Sequence, residues 1–305
     1  MFHPFIEPPA QDPGSIAEPI LPLGSRSICM YLVRGESYAL LGGGVPWVVH
    51  RLETQLDQYH IDRSRIRYLV ISHAHHDHCG AVPYLLKRYP HIQIVSSDYC
   101  AHLLNKSEPV ELMRSLNRQT LDNMKRPHQY NGISLGFEPI PASIRVSDGD
   151  SLDLGCGISL RFYLTPGHSR CSLSTYVSAL KALFPADALP FPENGGDKLV
   201  VTANHYDDYI RSLEKLQGLP INSIGYEHGG MLTGEEAATM IPRSIAATLQ
   251  ERQRIRERYD ELKDLDRLVD EIAEKYLSLE FFSLVPPAFM RAMTDRMVRS
   301  ALGML

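Results

Sequence analysis

Cysteine is scarce in this 305-residue sequence, and its five copies (Cys29, Cys79, Cys100, Cys156 and Cys171) are scattered without a C-x-x-C pair. An odd, dispersed set of this kind argues against a disulfide framework or a thiolate metal cage. Basic charge is also in short supply. The 31 lysines and arginines against 36 acidic residues leave a net charge of −5, which argues against nucleic-acid binding and a polybasic membrane surface. No run approaches the roughly 20 apolar residues that span a bilayer. Met1 to Leu23 holds six prolines but neither a basic start nor an apolar core, so it reads as an extended arm and not as a secretory signal. What remains is a cytoplasmic chain of ordinary globular composition, 44% hydrophobic and 22% charged, with a small-molecule partner.

Periodicity then predicts the elements. Ser27 to Val33 and Ser37 to Leu41 read as strands joined by a short turn, Pro46 to Tyr59 as a helix, and Arg67 to Ser72 as a compact apolar strand. A helix from Ala81, a strand over Ile92 to Ser96, and helices over Asp98 to Leu104 and Glu108 to Lys125 follow. The second half is richer in strands, at Ser151 to Leu154, Ile158 to Leu164, Ser172 to Val177, Ala182 to Pro185 and Ile221 to Gly225, with one helix over Asp207 to Leu216. Thr233 with Glu236 has the form of a capping box that opens a long helix, and everything beyond reads as helical, with Pro287 starting the last helix.

The informative segment is Ser72-His73-Ala74-His75-His76-Asp77-His78-Cys79-Gly80, where four of the thirteen histidines fall within six residues. From the chain's own residue frequencies, a His-x-His-x-Asp-His pattern arises by chance in roughly one such chain per thousand. A spacing of two at a strand end puts His73 and His75 on one side, and the following turn can present Asp77 and His78 together, as two adjacent metal sites need. Imidazoles and carboxylates suit zinc, iron or manganese alike.

With this motif the sequence resembles the metallo-β-lactamase-fold hydrolases, in which three later ligands follow on separate strands or loops. The resemblance implies a four-layer αββα sandwich over residues 25–232, flanked by the arm at 1–24 and a helical segment at 233–305 that covers the active-site cleft. It further implies two divalent metal ions. His73, His75 and His168 (in Thr165-Pro166-Gly167-His168-Ser169) would hold one, and Asp77, His78 and His228 the other, with Asp187 shared. Ala186 stands where the family usually has glycine, and Tyr226-Glu227 stand where Pro-Gly often precedes the last histidine; both departures leave the ligands in place. Within the family, His78-Cys79-Gly80, Pro83-Tyr84-Leu85, Leu116-Asn117-Arg118-Gln119, Tyr209 to Gln217 and the all-helical C-terminus are similar to the alkylquinolone-signal thioesterase branch. The glyoxalase-II-like branch shares the idea of a covering helical segment. Where the alkylquinolone branch has an acidic residue, Ala188-Leu189-Pro190-Phe191-Pro192 implies an apolar pocket wall.

The expected chemistry is hydrolysis by a water activated between the two ions, with Asp77 as ligand and proton acceptor. A thiolate leaves without acid assistance, because a thiol pKa near 8.5 makes it stable once expelled. A thioester of CoA or a similar carrier is therefore the expected substrate. A lactone is the second choice, although lactonases commonly have tyrosine where Leu189 and Pro190 stand, and a phosphodiester is third. A flavodiiron reductase would need room for a flavodoxin domain. Phe191, His205, Tyr206, Phe281, Phe282 and Phe289 are the candidate pocket residues. Arg252, Arg254, Arg256 and Arg258 form a basic strip on the long helix that suits a protein partner in a regulatory role, and a homodimer is compatible with the chain.

Overall fold

In the computed structural model, residues 19–125, 127–192, 199–279, 282 and 285–305 are described. Two six-stranded sheets dominate. The first comprises β1 (Ile20–Gly24), β2 (Cys29–Arg34), β3 (Tyr38–Leu41), β4 (Ile66–Val70), β5 (Gln93–Ser97) and, past a two-residue ribbon of β6 (Gln129–Tyr130) and β7 (Ile133–Ser134), β8 (Ile144–Val146). These lie in the order β1-β2-β3-β4-β5-β8, antiparallel through β3 and parallel beyond. The second sheet comprises β9 (Ser151–Gly155), β10 (Ile158–Leu164), β11 (Leu173–Val177), β12 (Ala182–Phe184) and, past the ribbon of β13 (Phe191–Pro192) and β14 (Leu199–Val200), β15 (Ser223–Gly225) and β16 (Met231–Thr233). Its order is β16-β15-β12-β11-β10-β9, with β12 and β15 the one parallel pair.

The helices are α1 (Val49–Gln58), α2 (His76–Cys79), α3 (Val82–Arg88), α4 (Asp98–Leu103), α5 (Ser107–Asn123), α6 (Tyr206–Leu216), α7 (Gly234–Leu262), α8 (Leu265–Leu277) and α9 (Pro287–Leu302). Strand periodicity explains how they stack. Along β2, Cys29, Tyr31 and Val33 face the second sheet, where they pack with Leu160, Phe162 and Phe184. The alternate residues Met30 and Leu32 face the other way, against Val49, Leu52 and Leu56 of α1 and Val82 and Leu85 of α3. The second sheet does the same with Leu183, Ile224 and Leu232, which pack against α6 to α9. A period of two with both faces buried builds the helix–sheet–sheet–helix sandwich that was expected.

The structure refines several expectations. Of the N-terminal arm, residues 1–18 lie outside the described residues, and Ile20–Gly24 form an edge strand paired with β2 from Ile20↔Val33 to Gly24↔Cys29. The helices α7 to α9 share one hydrophobic cluster with α6 and the outer face of the second sheet. Thr233 occupies the N-cap position of α7 but makes no side-chain cap hydrogen bond, so the capping box does not form. The basic strip is satisfied within the chain: Arg252 and Arg256 donate to the Ala301 carbonyl near the end of α9, Arg254 pairs with Glu251, and Arg258 pairs with Glu261 and Glu271. None of the described helices is long and apolar enough to cross a membrane.

Candidate metal centre

The histidine motif leaves the end of β4 as an irregular loop and enters the one-turn helix α2 at His76. The chain must turn tightly here beside the end of β3. Gly43 makes this possible: a Cβ there would lie 2.4 Å from Val82 Cγ2 and 2.6 Å from the His78 carbonyl, which instead accepts a hydrogen bond from Gly43 N at 2.9 Å. Asn117 of α5 braces the same turn, donating to the carbonyls of Gly80 and Leu135 at 3.0 and 3.2 Å and accepting from His76 Nε2 at 2.5 Å. His76 therefore points away from the cluster formed by its neighbours.

The later residues arrive from the second sheet. His168 lies between β10 and β11, on a turn that requires Gly167 at φ +134°, where a Cβ would meet the Tyr209 backbone at 2.4 Å. Asp187 follows β12. Ala186 before it has φ +50°, so the left-handed conformation that glycine adopts freely is kept here by an alanine. His228 sits between β15 and β16, on a loop clamped to β2. Tyr31 Oη donates to the carbonyls of Tyr226 and Gly230 at 2.6 and 2.8 Å, Cys29 N to that of Glu227 at 2.8 Å, and Gly229 N to that of Arg26 at 2.8 Å.

Each of these elements aims a lone pair at one place. His73 Nε2 lies 3.1 Å from His75 Nδ1, which lies 2.9 Å from His168 Nε2. His78 Nε2 lies 3.3 Å from His228 Nε2 and 3.4 Å from Asp77 Oδ2, itself 3.3 Å from His228 Nε2. Between these triads sits Asp187, its Oδ2 at 3.1 Å from His78 and 3.3 Å from His168, and its Oδ1 at 3.8 Å from His228. Donors arranged tetrahedrally at 2.0–2.1 Å from a common ion lie roughly 3.3 Å apart. The observed separations match that value, so the residues fit two divalent ions with a shared carboxylate. All seven expected ligands are brought together.

Outer contacts fix the rings in the required sense. His168 Nδ1 donates to the Thr202 carbonyl at 2.9 Å and His228 Nδ1 to that of Ser27 at 2.7 Å, which leaves Nε2 of each free to ligate. His78 Nδ1 donates to Glu227 Oε2 at 2.5 Å, with the Glu227 side chain nearly buried. Sequence reasoning noted Glu227 only as a departure from the family pattern and missed this role; a carboxylate next to a ligand histidine was the available signal. Cys79 is buried and donates to the His75 carbonyl.

Burial and charge divide the histidines. Burial pushes the rings of His73, His75 and His168 below the ordinary imidazole range, His75 to about 3, aided by neighbouring histidines, so all three are neutral and ready to ligate at pH 7. Burial disfavours the charged ring of His78 as well. There the carboxylates of Asp77, Asp187 and Glu227 outweigh it and raise the value well above 6.5, and Asp187 and Asp77 act likewise on His228. The same histidines hold Asp77 and Asp187 well below the usual carboxylate range, against the opposing effect of burial.

Five residues of the cluster, His75, Asp77, His168, Asp187 and His228, line a cavity of about 600 Å³. Of the candidate pocket residues, Phe191, Phe282 and Phe289 line it, and Phe191 packs 5.9 Å from the His228 ring and 6.2 Å from that of Phe282. His205 and Tyr206 do not. His205 caps α6, accepting from Asp208 N, and Tyr206 is buried with its backbone N donating to Ser300 Oγ at 2.8 Å; both positions are taken by the local requirements of a helix start. Phe281 lies outside the described residues. Wall residues absent from the expectation come from α5 and α9, among them Leu112, Leu116, Met293 and Met297.

Comparison with known proteins follows the same lines. The model of the metallo-beta-lactamase superfamily matches residues 26–228. A metallo-beta-lactamase fold-containing protein of Sulfurisphaera tokodaii is 28% identical over 173 residues, covering 55% of this chain and 62% of that one. An anaerobic nitric oxide reductase flavorubredoxin of Aeromonas hydrophila is 33% identical over 129 residues, 42% of this chain but 20% of its own length. The chain thus spans less than two thirds of these relatives. Among solved structures, a metallo-beta-lactamase family protein of Thermus thermophilus superposes with a TM-score of 0.61 at 16% identity, covering 93% of this chain and 91% of the other.

Proposed function

The chain belongs to the metallo-beta-lactamase superfamily, and from that premise we propose that it is a dinuclear metal-dependent hydrolase acting on a thioester of CoA or a similar thiol carrier. The observation that carries this reading is the pair of donor triads with Asp187 between them in the wall of a largely apolar cavity. Two divalent ions held there would supply a water of pKa near 7 instead of 15.7 and polarise an acyl carbonyl. His73, His75 and His168 would hold one ion and Asp77, His78 and His228 the other, with Asp187 between the two triads. Asp77, whose side chain is 40% exposed and lines the cavity, would orient that water and accept its proton at a carboxylate oxygen. Glu227 and the Ser27 and Thr202 carbonyls keep the imidazoles turned towards the ions. The apolar wall limits competing water near the acyl group.

Leaving-group chemistry favours a thioester within this class. Besides the cluster itself, the titratable groups on the described cavity wall are His76, Glu108 and Tyr276. His76 is bound to Asn117, and the Tyr276 hydroxyl donates to the Val201 carbonyl. Neither is poised as an acid, which a thiolate does not need. Free-thiol release from a panel of acyl thioesters, by protein loaded with iron(II), manganese or zinc beside a His73→Ala control, tests the reading. Metal-dependent release that vanishes in the control is expected. No release with two ions bound would reject thioester hydrolysis and move the test to lactones and phosphodiesters. Nitric oxide reduction with an external reductant is the assay that the flavorubredoxin likeness adds.

A further inference from the structure

The cavity is far more apolar than hydrolysis alone requires, and its walls have direction. On α9, Met290, Met293 and Met297 recur at i, i+3 and i+7, which places them in one row facing the cavity. On α5, Pro109, Leu112 and Leu116 form a second row. At 1.5 Å rise per residue the methionine row extends about 10 Å. No lysine or arginine is among the described lining residues, and beyond the metal cluster the wall's one carboxylate is Glu108. Leu112, 45% exposed, gives the site an apolar rim. The volume of about 600 Å³ lies inside the roughly 300–1,000 Å³ of small-molecule sites.

Resting on the hydrolase reading, we infer that the site recognises its substrate through a long, uncharged, unbranched acyl chain running from the metal cluster along the methionine row of α9. An extended alkyl chain advances about 1.25 Å per carbon, from single bonds of about 1.5 Å at about 111°. The row therefore accommodates about eight carbons beyond the carbonyl. Methionine suits this task, because unbranched thioether side chains adapt to a flexible chain without a fixed shape. A charged terminus has no partner along the row, so burying one is opposed by desolvation. Met293 sits midway along the row, half-buried, so a bulkier side chain there would shorten the path open to the chain.

The test is a binding ladder that does not require turnover. Displacement of the uncharged probe N-phenyl-1-naphthylamine from the full chain is measured with straight-chain monocarboxylates of increasing length and with α,ω-dicarboxylates of matched length, so that one carboxylate can face the metal cluster in both series and only the far terminus differs. Affinity is expected to rise about fourfold per methylene up to roughly ten carbons and then level off, with the dicarboxylates weaker by on the order of 100-fold. Met293→Trp moves the plateau to shorter chains. Met293→Phe does so by less and serves as the milder variant should the tryptophan disturb folding, with the melting curve as the control. A flat ladder, equal binding of the dicarboxylates, or a plateau unmoved in both folded variants overturns the inference. Turnover of N-acetylcysteamine thioesters run in parallel separates the two claims. A flat ladder with turnover rejects the chain preference and leaves the hydrolase reading. A rising ladder without turnover supports the chain preference and rejects thioester hydrolysis.

Discussion

Replacing Glu227 by glutamine perturbs the metal centre through one contact. The Glu227 carboxylate accepts from His78 Nδ1 at 2.5 Å in a nearly buried setting, and its loop is fixed independently by the backbone bonds to Cys29 and by Tyr31. Glutamine preserves size and an accepting oxygen but removes the charge that makes His78 a stronger ligand. Hydrogen bonds to charged groups contribute about 1.5–3 kcal/mol, and outer partners of ligand histidines about 10–100-fold in metal affinity, which is about 1.4–2.8 kcal/mol on the same scale. Glu227→Gln is expected near the lower end, about 10-fold, and Glu227→Ala near 100-fold. The loss should fall on the site of Asp77, His78 and His228 alone, because the Glu227 carboxylate bonds to His78. Competition against a chromophoric chelator, titrated through both ions, resolves the two affinities. Equal weakening of both sites, or an unchanged second site, would refute the idea that Glu227 acts by orienting and polarising His78.

Further outcomes follow from strain, charge and titration. Ala186 pays for its left-handed φ of +50° with roughly 1–2 kcal/mol, so Ala186→Gly should leave the melting temperature unchanged or raised, where an ordinary Ala→Gly change lowers it; a clear drop would show that the conformation is not strained. Charge reversal at Arg254 and Arg258 breaks pairs with Glu251, Glu261 and Glu271, and turnover should survive it, measured beside the melting curve. A lost activity in a folded variant would point back to a regulatory surface. The metal-free chain should be most stable near neutral pH. Burial lowers the folded values of His73, His75, His76 and His168 below 6.5, so on acidification from 6.5 the unfolded chain takes up protons that the folded one refuses and stability falls. His78 and His228 have raised folded values, so their contribution is full below 6.5 and is lost as pH rises through those values. Calorimetry from pH 5 to 9 should show a maximum, and a monotonic rise would contradict these directions.

Much of the fold was legible because its strands and helices carry clean periodicities, as in Ile158–Leu164 and Val49–Gln58. The candidate ligands were legible in two ways: the density of histidine from His73 to His78 stands out by itself, and the resemblance to the metallo-β-lactamase-fold hydrolases then pointed to His168, Asp187 and His228. Elements fixed by distant pairing were not. Ile20–Gly24 sits in a proline-rich segment and becomes a strand only by pairing with β2, and the three residues Ile144–Val146 are a strand only beside β5. Glu227 and Asn117 escaped notice as functional residues for the same reason: their partners, His78 and His76, lie 149 and 41 residues away. The aromatic pocket candidates divided by local demand. Phe191, Phe282 and Phe289 reach the cavity, whereas His205 and Tyr206 are claimed by the start of α6.

The most direct test of the central claim is diffraction from crystals grown with manganese or zinc, collected at that metal's absorption edge. The account predicts two anomalous peaks about 3.5–4 Å apart on either side of the Asp187 carboxylate, one within reach of His73, His75 and His168 and the other of Asp77, His78 and His228. A single peak, or peaks away from these side chains, would contradict it.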